Sequence, residues 1–222
     1  MLRRFSELRG TVIQAKDGDA GFVDDLYFNA DSWVVRHIGV AVAEAPFGRL
    51  AALPSAFVLR VRPGGLLPRA VRIDLTRQQL QDLPDVARDP LTAGRVRLGA
   101  PEDLGRRGPF SPQSGALASS QAAAVEEIRE QELLSGAAVS RYRTTAQDGG
   151  VGRVKDLVYD DRTWRICYLV VAPRKWWPRK GVLIDVRDVG AVDAAGRRVR
   201  LKLIRDEIRR AREYDPHMPL LW

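Results

Sequence analysis

Six carboxylates stand where chemistry by paired acids could be sought: Asp24, Asp25 and Asp31 early in the chain, and Asp156, Asp160 and Asp161 late in it. Such chemistry needs two groups held across a cleft with split pKa values. Both sets instead follow a hairpin-like strand and its turn. The expected task is therefore structural: accepting hydrogen bonds from turn amides or pairing with an arginine. Asp24 and Asp156 are read as one repeat position, and the spacing lacks an EF-hand ladder. His37 and His217 are the only histidines, and neither has a second His or Cys in reach by spacing. The lone Cys167 excludes an internal disulfide and an all-cysteine metal site. Its apolar run, Ile166 to Val171, predicts a buried small hydrophobe. Gly149-Gly-Val-Gly is followed by a strand-like stretch, whereas a phosphate cradle needs a helix N-terminus there. The expectation is no enzyme, no cofactor and no metal.

The sharpest binding signal is Trp176-Trp177-Pro178, flanked by Arg174, Lys175, Arg179 and Lys180. Aromatic and arginine side chains dominate interface hot spots. In a loop between two strands this cluster can plug a barrel end and pack on a sister unit, or dock a protein partner. The same mixture can also stack bases or meet lipid headgroups.

The elements that must position these residues come from a duplication. Asp17-Gly18, Gly21 and Trp33 recur as Asp148-Gly149, Gly152 and Trp164, each 131 residues on. Asp-Gly is a hairpin-turn signal, so Thr11–Ala15 and the stretch from Gly21 read as two strands of a hairpin. Trp33 to Val42 is a third strand. Simple alternation there puts Trp33, Val35, His37 and Gly39 on one face and Val34, Arg36, Ile38 and Val40 on the other. Residues 51–61 read as a strand pair. In Ala70–Leu75, Val71, Ile73 and Leu75 point inward and Arg72 and Asp74 outward. Thr76 then N-caps a short helix. The second copy repeats the order: Gly136–Tyr142, Val151–Asp160, Trp164–Ala172, Gly181–Asp185 and Val199–Leu203 as strands, then a helix from Arg205. In that helix acids precede arginines, which suits the helix dipole. Residues 105–120 are rich in Gly, Pro and Ser and read as linker, with a weakly amphipathic helix over 122–134.

The pattern Gly-x-Val, then Asp-Gly-x-x-Gly-x-Val-x-Asp-Leu, a Trp and an apolar strand resembles the PRC-barrel domain. The stretch Trp164 to Asp185, with Trp176-Trp177-Pro178 inside it, carries the same resemblance. That family is named for the cytoplasmic part of the photosynthetic reaction-centre H subunit, and it is also found in a ribosome maturation factor. The resemblance covers residues 5–98 and 133–215 and is closer in the second copy; the first has Pro46-Phe-Gly where the second has its Trp pair. It implies a barrel that docks onto other proteins. The expected fold is mainly β: two tandem small antiparallel β-barrels, each with its own core and each ending in a short helix. The first spans 1–104, the linker 105–132 and the second, basic barrel 133–222. Asp17, Gly18, Gly21, Asp24 and Trp33, with Asp148, Gly149, Gly152, Asp156 and Trp164, are its expected structural residues.

Charge is unevenly placed. Residues 1–132 hold 17 Lys/Arg against 17 Asp/Glu, whereas residues 133–222 hold 19 against 11, so the net +8 lies in the second copy. Such asymmetry can mark a surface that meets an acidic partner. No run approaches the ~18 apolar residues of a membrane-spanning helix, and the N-terminal residues lack the apolar core of a signal peptide. A cytoplasmic protein without a transmembrane segment is expected. Three functions follow in order: a protein–protein interaction or scaffolding module, with a protein partner or self-association; an adaptor for RNA or a ribonucleoprotein; and an enzyme whose site the sequence does not show.

Overall fold

A computed structural model describes residues 1–43, 49–62, 69–87, 94–98, 133–173 and 181–215. Leu2–Arg4 (β1) and one helical turn, Phe5–Leu8 (α1), precede the first hairpin, Val12–Ala15 (β2) and Gly18–Asn29 (β3). Val35–Val42 (β4), Leu50–Pro54 (β5), Val58–Arg62 (β6) and Ala70–Ile73 (β7) follow, then the helix Arg77–Gln81 (α2) and two short strands, Val86–Ala87 (β8) and Arg95–Leu98 (β9). The second copy runs Leu133–Ser135 (β10), Gly136–Val139 (α3), Arg143–Ala146 (β11), Gly149–Asp160 (β12), Ile166–Pro173 (β13) and Val182–Asp185 (β14). It ends with Val189–Asp193 (β15), Arg198–Leu201 (β16) and the helix Arg205–Arg210 (α4). The fold is mainly β, in two sheets, one of them a half-barrel.

Local chemistry accounts for these elements. Thr76 caps α2 by accepting the Gln79 N–H at 3.2 Å, while Gln79 accepts the Thr76 N–H at 2.9 Å. This reciprocal pair satisfies two of the helix's orphan donors. Ile204 lacks a capping oxygen, and Glu207 takes its N–H at 2.9 Å instead. Val71, Ile73 and Leu75 are buried and Arg72 and Asp74 exposed, as alternation requires. Gly136–Val139, which reads as part of a strand, is one turn of helix. Ser135 opens it by accepting the Ala138 N–H, and Ala-Ala favours helix over strand.

Not all strand pairs are antiparallel. β2 pairs parallel with β7, Val12 opposite Ala70, and β11 with β16, Arg143 opposite Arg198. In each copy the chain crosses through four strands, β3–β6 or β12–β15, before returning to the free side of β2 or β11. A parallel pair needs a long crossover of this kind.

The first strand of each copy pairs with the other copy. β1 lies antiparallel on β12, with Leu2 opposite Asp160 and Arg4 opposite Val158. β10 lies on β3, with Leu133 opposite Asn29 and Ser135 opposite Tyr27. Strand pairing thus crosses the division of the chain into 1–104 and 133–222 at both arms. The buried apolar residues form one main cluster that draws on both copies, from Phe5 and Leu26 to Leu157 and Ile208, instead of two separate cores. Exchange of arms merges the cores because each arm carries buried side chains, Phe5 and Leu8 in one and Val139 in the other, across the boundary.

Each long strand pairs with its successor through two bulges, and these break simple alternation. In β3 and β4, pairing steps from Tyr27–His37 to Phe28–Val35, leaving Arg36 unpaired. In β12 and β13 it steps from Val158–Tyr168 to Tyr159–Ile166, leaving Cys167 unpaired. A bulge shifts the side-chain phase by one residue. Val35, Ile38 and Val40 therefore share the main core, while His37 lies on the other face of the sheet, beside Tyr27. Cys167 corresponds to the exposed Arg36, and it is half-buried for that reason, not a core residue.

Candidate functional site

The basic tryptophan cluster, Arg174, Lys175, Trp176, Trp177, Arg179 and Lys180, lies outside the described residues, as do the 105–132 linker, Pro46-Phe-Gly and His217. The remaining candidates divide into an internal latch and an exposed arginine ladder.

The latch is built from the repeat motif. Asp156 accepts the Ser6 N–H at 3.0 Å, the Ser6 hydroxyl and the Leu157 N–H at 2.8 Å. Asp25 accepts the Ala137 N–H at 2.9 Å, the Ser135 hydroxyl and the Leu26 N–H at 2.7 Å. The equivalent of Asp156 is therefore Asp25, buried, and not Asp24. Asp24 sits at the other β3 bulge, between Val23 and Asp25, where Lys155 sits in β12. Each buried carboxylate clamps the other copy's arm. Desolvation pushes both carboxyls above the usual range, against the bonds from the serines and backbone amides that hold them down.

Trp33 and Trp164 complete the junction. Both sit in the left-handed region at φ 56°, a conformation that disfavours a side chain by ~1–2 kcal/mol. Each stacks on an aromatic of its own long strand: Trp33 on Phe28 at 5.4 Å and Trp164 on Tyr159 at 5.3 Å between centroids. Their carbonyls accept across the copy boundary, the Val35 N–H bonding Trp164 and the Ile166 N–H bonding Trp33, each at 2.8 Å.

Asp17 and Asp148 tie each hairpin turn to a helix start, accepting the N–H of Arg77 at 2.8 Å and of Arg205 at 2.9 Å. Asp160 accepts the turn amides of Arg162 and Thr163, as Asn29 does those of Asp31 and Ser32. Asp161 pairs with Arg3 of the arm at 2.5 Å. Gly21 and Gly152 sit where strands touch. A Cβ on Gly21 would lie 2.2 Å from the Ala41 carbonyl oxygen, and one on Gly152 1.9 Å from that of Ala172.

Two polar groups on the outer face of the first sheet, the Tyr27 hydroxyl and His37 Nδ1, are buried and have no hydrogen-bond partner among the described residues. Burial, and then the Arg36 charge, push the His37 imidazole down to about 4. Burial likewise pushes the Tyr27 phenol well up. The second copy has Val158 and Tyr168 at these places. Among the described residues no group of three His, Cys, Asp or Glu is arranged to hold a metal ion.

The ladder escapes sequence reasoning. Arg143 on β11 lies opposite Arg153 on β12 and, on its other side, opposite Arg198 on β16; Arg200 lies opposite Thr145. All four arginines are exposed. The charge excess of residues 133–222 announced basic chemistry, but only strand register brings these four side chains together. No protein-family model matches this chain, and no curated protein does.

Proposed function

We propose that this chain is a non-catalytic docking or scaffolding module that binds a protein partner, built from two PRC-barrel-like copies at 1–104 and 133–222 and working in the cytoplasm. What supports the reading is where the copies differ. Inward positions keep their character: Val23 and Val154, Leu26 and Leu157, Ile38 and Leu169, Val71 and Val199 are all buried. At three neighbouring places the chemistry diverges: Val12, Phe22 and Ala70 of one sheet stand where the other has Arg143, Arg153 and Arg198, while Arg72 and Arg200 are alike. Phe22 is 50% exposed, and Leu59, on β6 at the edge of the same sheet, is 63% exposed. A pseudo-symmetric body that keeps its core and differentiates its surfaces is suited to holding different groups at fixed separation.

The experiment is affinity capture with the full chain, beside Phe22→Ser and Trp176→Ala/Trp177→Ala variants whose melting temperatures are first compared. The expected result is one protein retained in stoichiometric amount and lost from a variant that still melts normally. Retention that no folded variant changes overturns the reading. The second reading, an adaptor for RNA or a ribonucleoprotein, draws on the arginine ladder. It predicts capture that nuclease abolishes and that falls steeply with salt.

A further inference from the structure

We infer that the arginine ladder on the second sheet is a recognition surface for an extended, acidic protein segment; the inference rests on the docking reading and names its partner's chemistry. Arg153, Arg143 and Arg198 occupy directly opposed positions on three adjacent strands. Adjacent strands lie about 4.8 Å apart, so the row is about 10 Å wide, and Arg200 stands about 7 Å further along β16 from Arg198. Like charges placed directly opposite each other destabilise a sheet. The fold does not require them, because the same three positions of the first sheet are Phe22, Val12 and Ala70. Nor does the sheet neutralise them: no ion pair to any of the four forms among the described residues. The acid opposite Arg198, Asp193 on β15, instead accepts the Gly196 N–H at 2.8 Å. Four guanidinium groups are thus held on a rigid support with their charge unspent.

The chemistry of the ladder selects its partner. Guanidinium forks match carboxylates in bidentate pairs. Alternate residues of an extended chain present side chains on one face about 7 Å apart, the same step as Arg198 to Arg200. A single-stranded nucleic acid is matched less well, because such binders stack bases on exposed aromatics. The one aromatic on β11, β12 and β16 is Tyr159, which is fully buried.

Fluorescence anisotropy with the full chain tests this. The probes are a labelled twelve-residue peptide of alternating Glu and Thr, its Gln-for-Glu analogue, and a twelve-nucleotide RNA, single-stranded and as a duplex. Wild type is compared with Arg143→Glu/Arg153→Glu and with the milder Arg143→Gln/Arg153→Gln, each checked by melting temperature. Arg60→Glu/Arg72→Glu, an exposed opposed pair on the first sheet, is the control of equal charge change. The expected result is binding of the Glu peptide but not the Gln analogue. The ladder variants should weaken it by roughly tenfold or more, while the control stays within about twofold. Equal binding of the two peptides, or equal losses in ladder and control variants, overturns the ladder while leaving the docking reading to its own capture experiment. Tighter binding of either RNA, lost in the ladder variants, overturns both.

Discussion

Asp25 and Asp156 show how one residue type can serve the fold instead of catalysis. Each is desolvated, and each accepts two backbone amides and a serine hydroxyl. Asp25→Ala leaves three donors without an acceptor and should cost about 3 kcal/mol by urea unfolding, whereas Asp25→Asn keeps an acceptor, loses a buried charge and should cost under about 1. Equal costs would deny the latch. The pH dependence has a definite sign. Desolvation, opposed by the serine and amide bonds, raises both carboxyls above 3.8, so the folded state takes these protons more readily than the unfolded chain. Their contribution to stability therefore rises as pH falls through the folded pKa values. A double Asp25→Asn/Asp156→Asn variant should lose that gain, with its unfolding midpoint falling relative to wild type as the pH is lowered. His37 acts in the opposite sense. Its folded pKa, lowered to about 4 from 6.5 by burial and by Arg36, makes the unfolded chain the better proton acceptor. That contribution is complete above pH 6.5 and is lost as pH falls to about 4, on the order of 3 kcal/mol. His37→Tyr, the residue of the second copy, should flatten the loss between pH 7 and 4.5; an unchanged slope would place the titration elsewhere.

At the scale of elements, the two long strands do most of the organising. Each binds its hairpin mate, its successor strand and the other copy's arm along one twelve-residue length. Close approach at Gly152 is the condition for this. Gly152→Ala drives a Cβ into the Ala172 carbonyl and should cost about 3 kcal/mol or more. Gly18→Ala, with open space around it and only its φ of 133° against it, should cost about 1 kcal/mol; similar melting midpoints for the two would mean that the β12–β13 contact yields. Strand existence was legible because the 131-residue repeat and the alternation of Val71, Ile73 and Leu75 are written in residue type. Register was not. Nothing local marks Arg36 and Cys167 as bulge residues, and one bulge reverses every face assignment on its far side. The arginine ladder was hidden for the same reason, since it exists only after β11, β12 and β16 are aligned. The turn of helix at Gly136 did leave a trace, Ser135 before Ala-Ala, which the neighbouring strand pattern masked. The Trp176–Trp177 cluster, the strongest binding signal in the chain, lies outside the described residues.

At the scale of the molecule, the arms make the chain resemble an exchanged dimer fused into one polypeptide. The backbone contacts at the arms and their junction are met by an equivalent residue on the other side: Ser6 on Asp156 and Ala137 on Asp25, Trp33 on Ile166 and Trp164 on Val35. Side chains are less equivalent, and one difference bears on pairing. Phe5, buried at 2% exposure, and Gly136 are copy counterparts, and a Cβ on Gly136 would lie 2.7 Å from Leu26 Cδ1 and 3.2 Å from Leu157 Cδ1. Two copies with Phe at this place would crowd the junction, and two with Gly would leave it underfilled. Large opposite small therefore specifies pairing between unlike copies. Residues 1–104 and 133–222, produced as separate chains and mixed, should form a one-to-one complex in preference to either homodimer, read by light scattering and native mass spectrometry. Gly136→Phe in the second fragment should weaken that complex, and Phe5→Ala in the first should partly restore it. Two fragments that each fold as stable monomers, with no gain on mixing, would show that the exchanged arms decorate two self-sufficient halves.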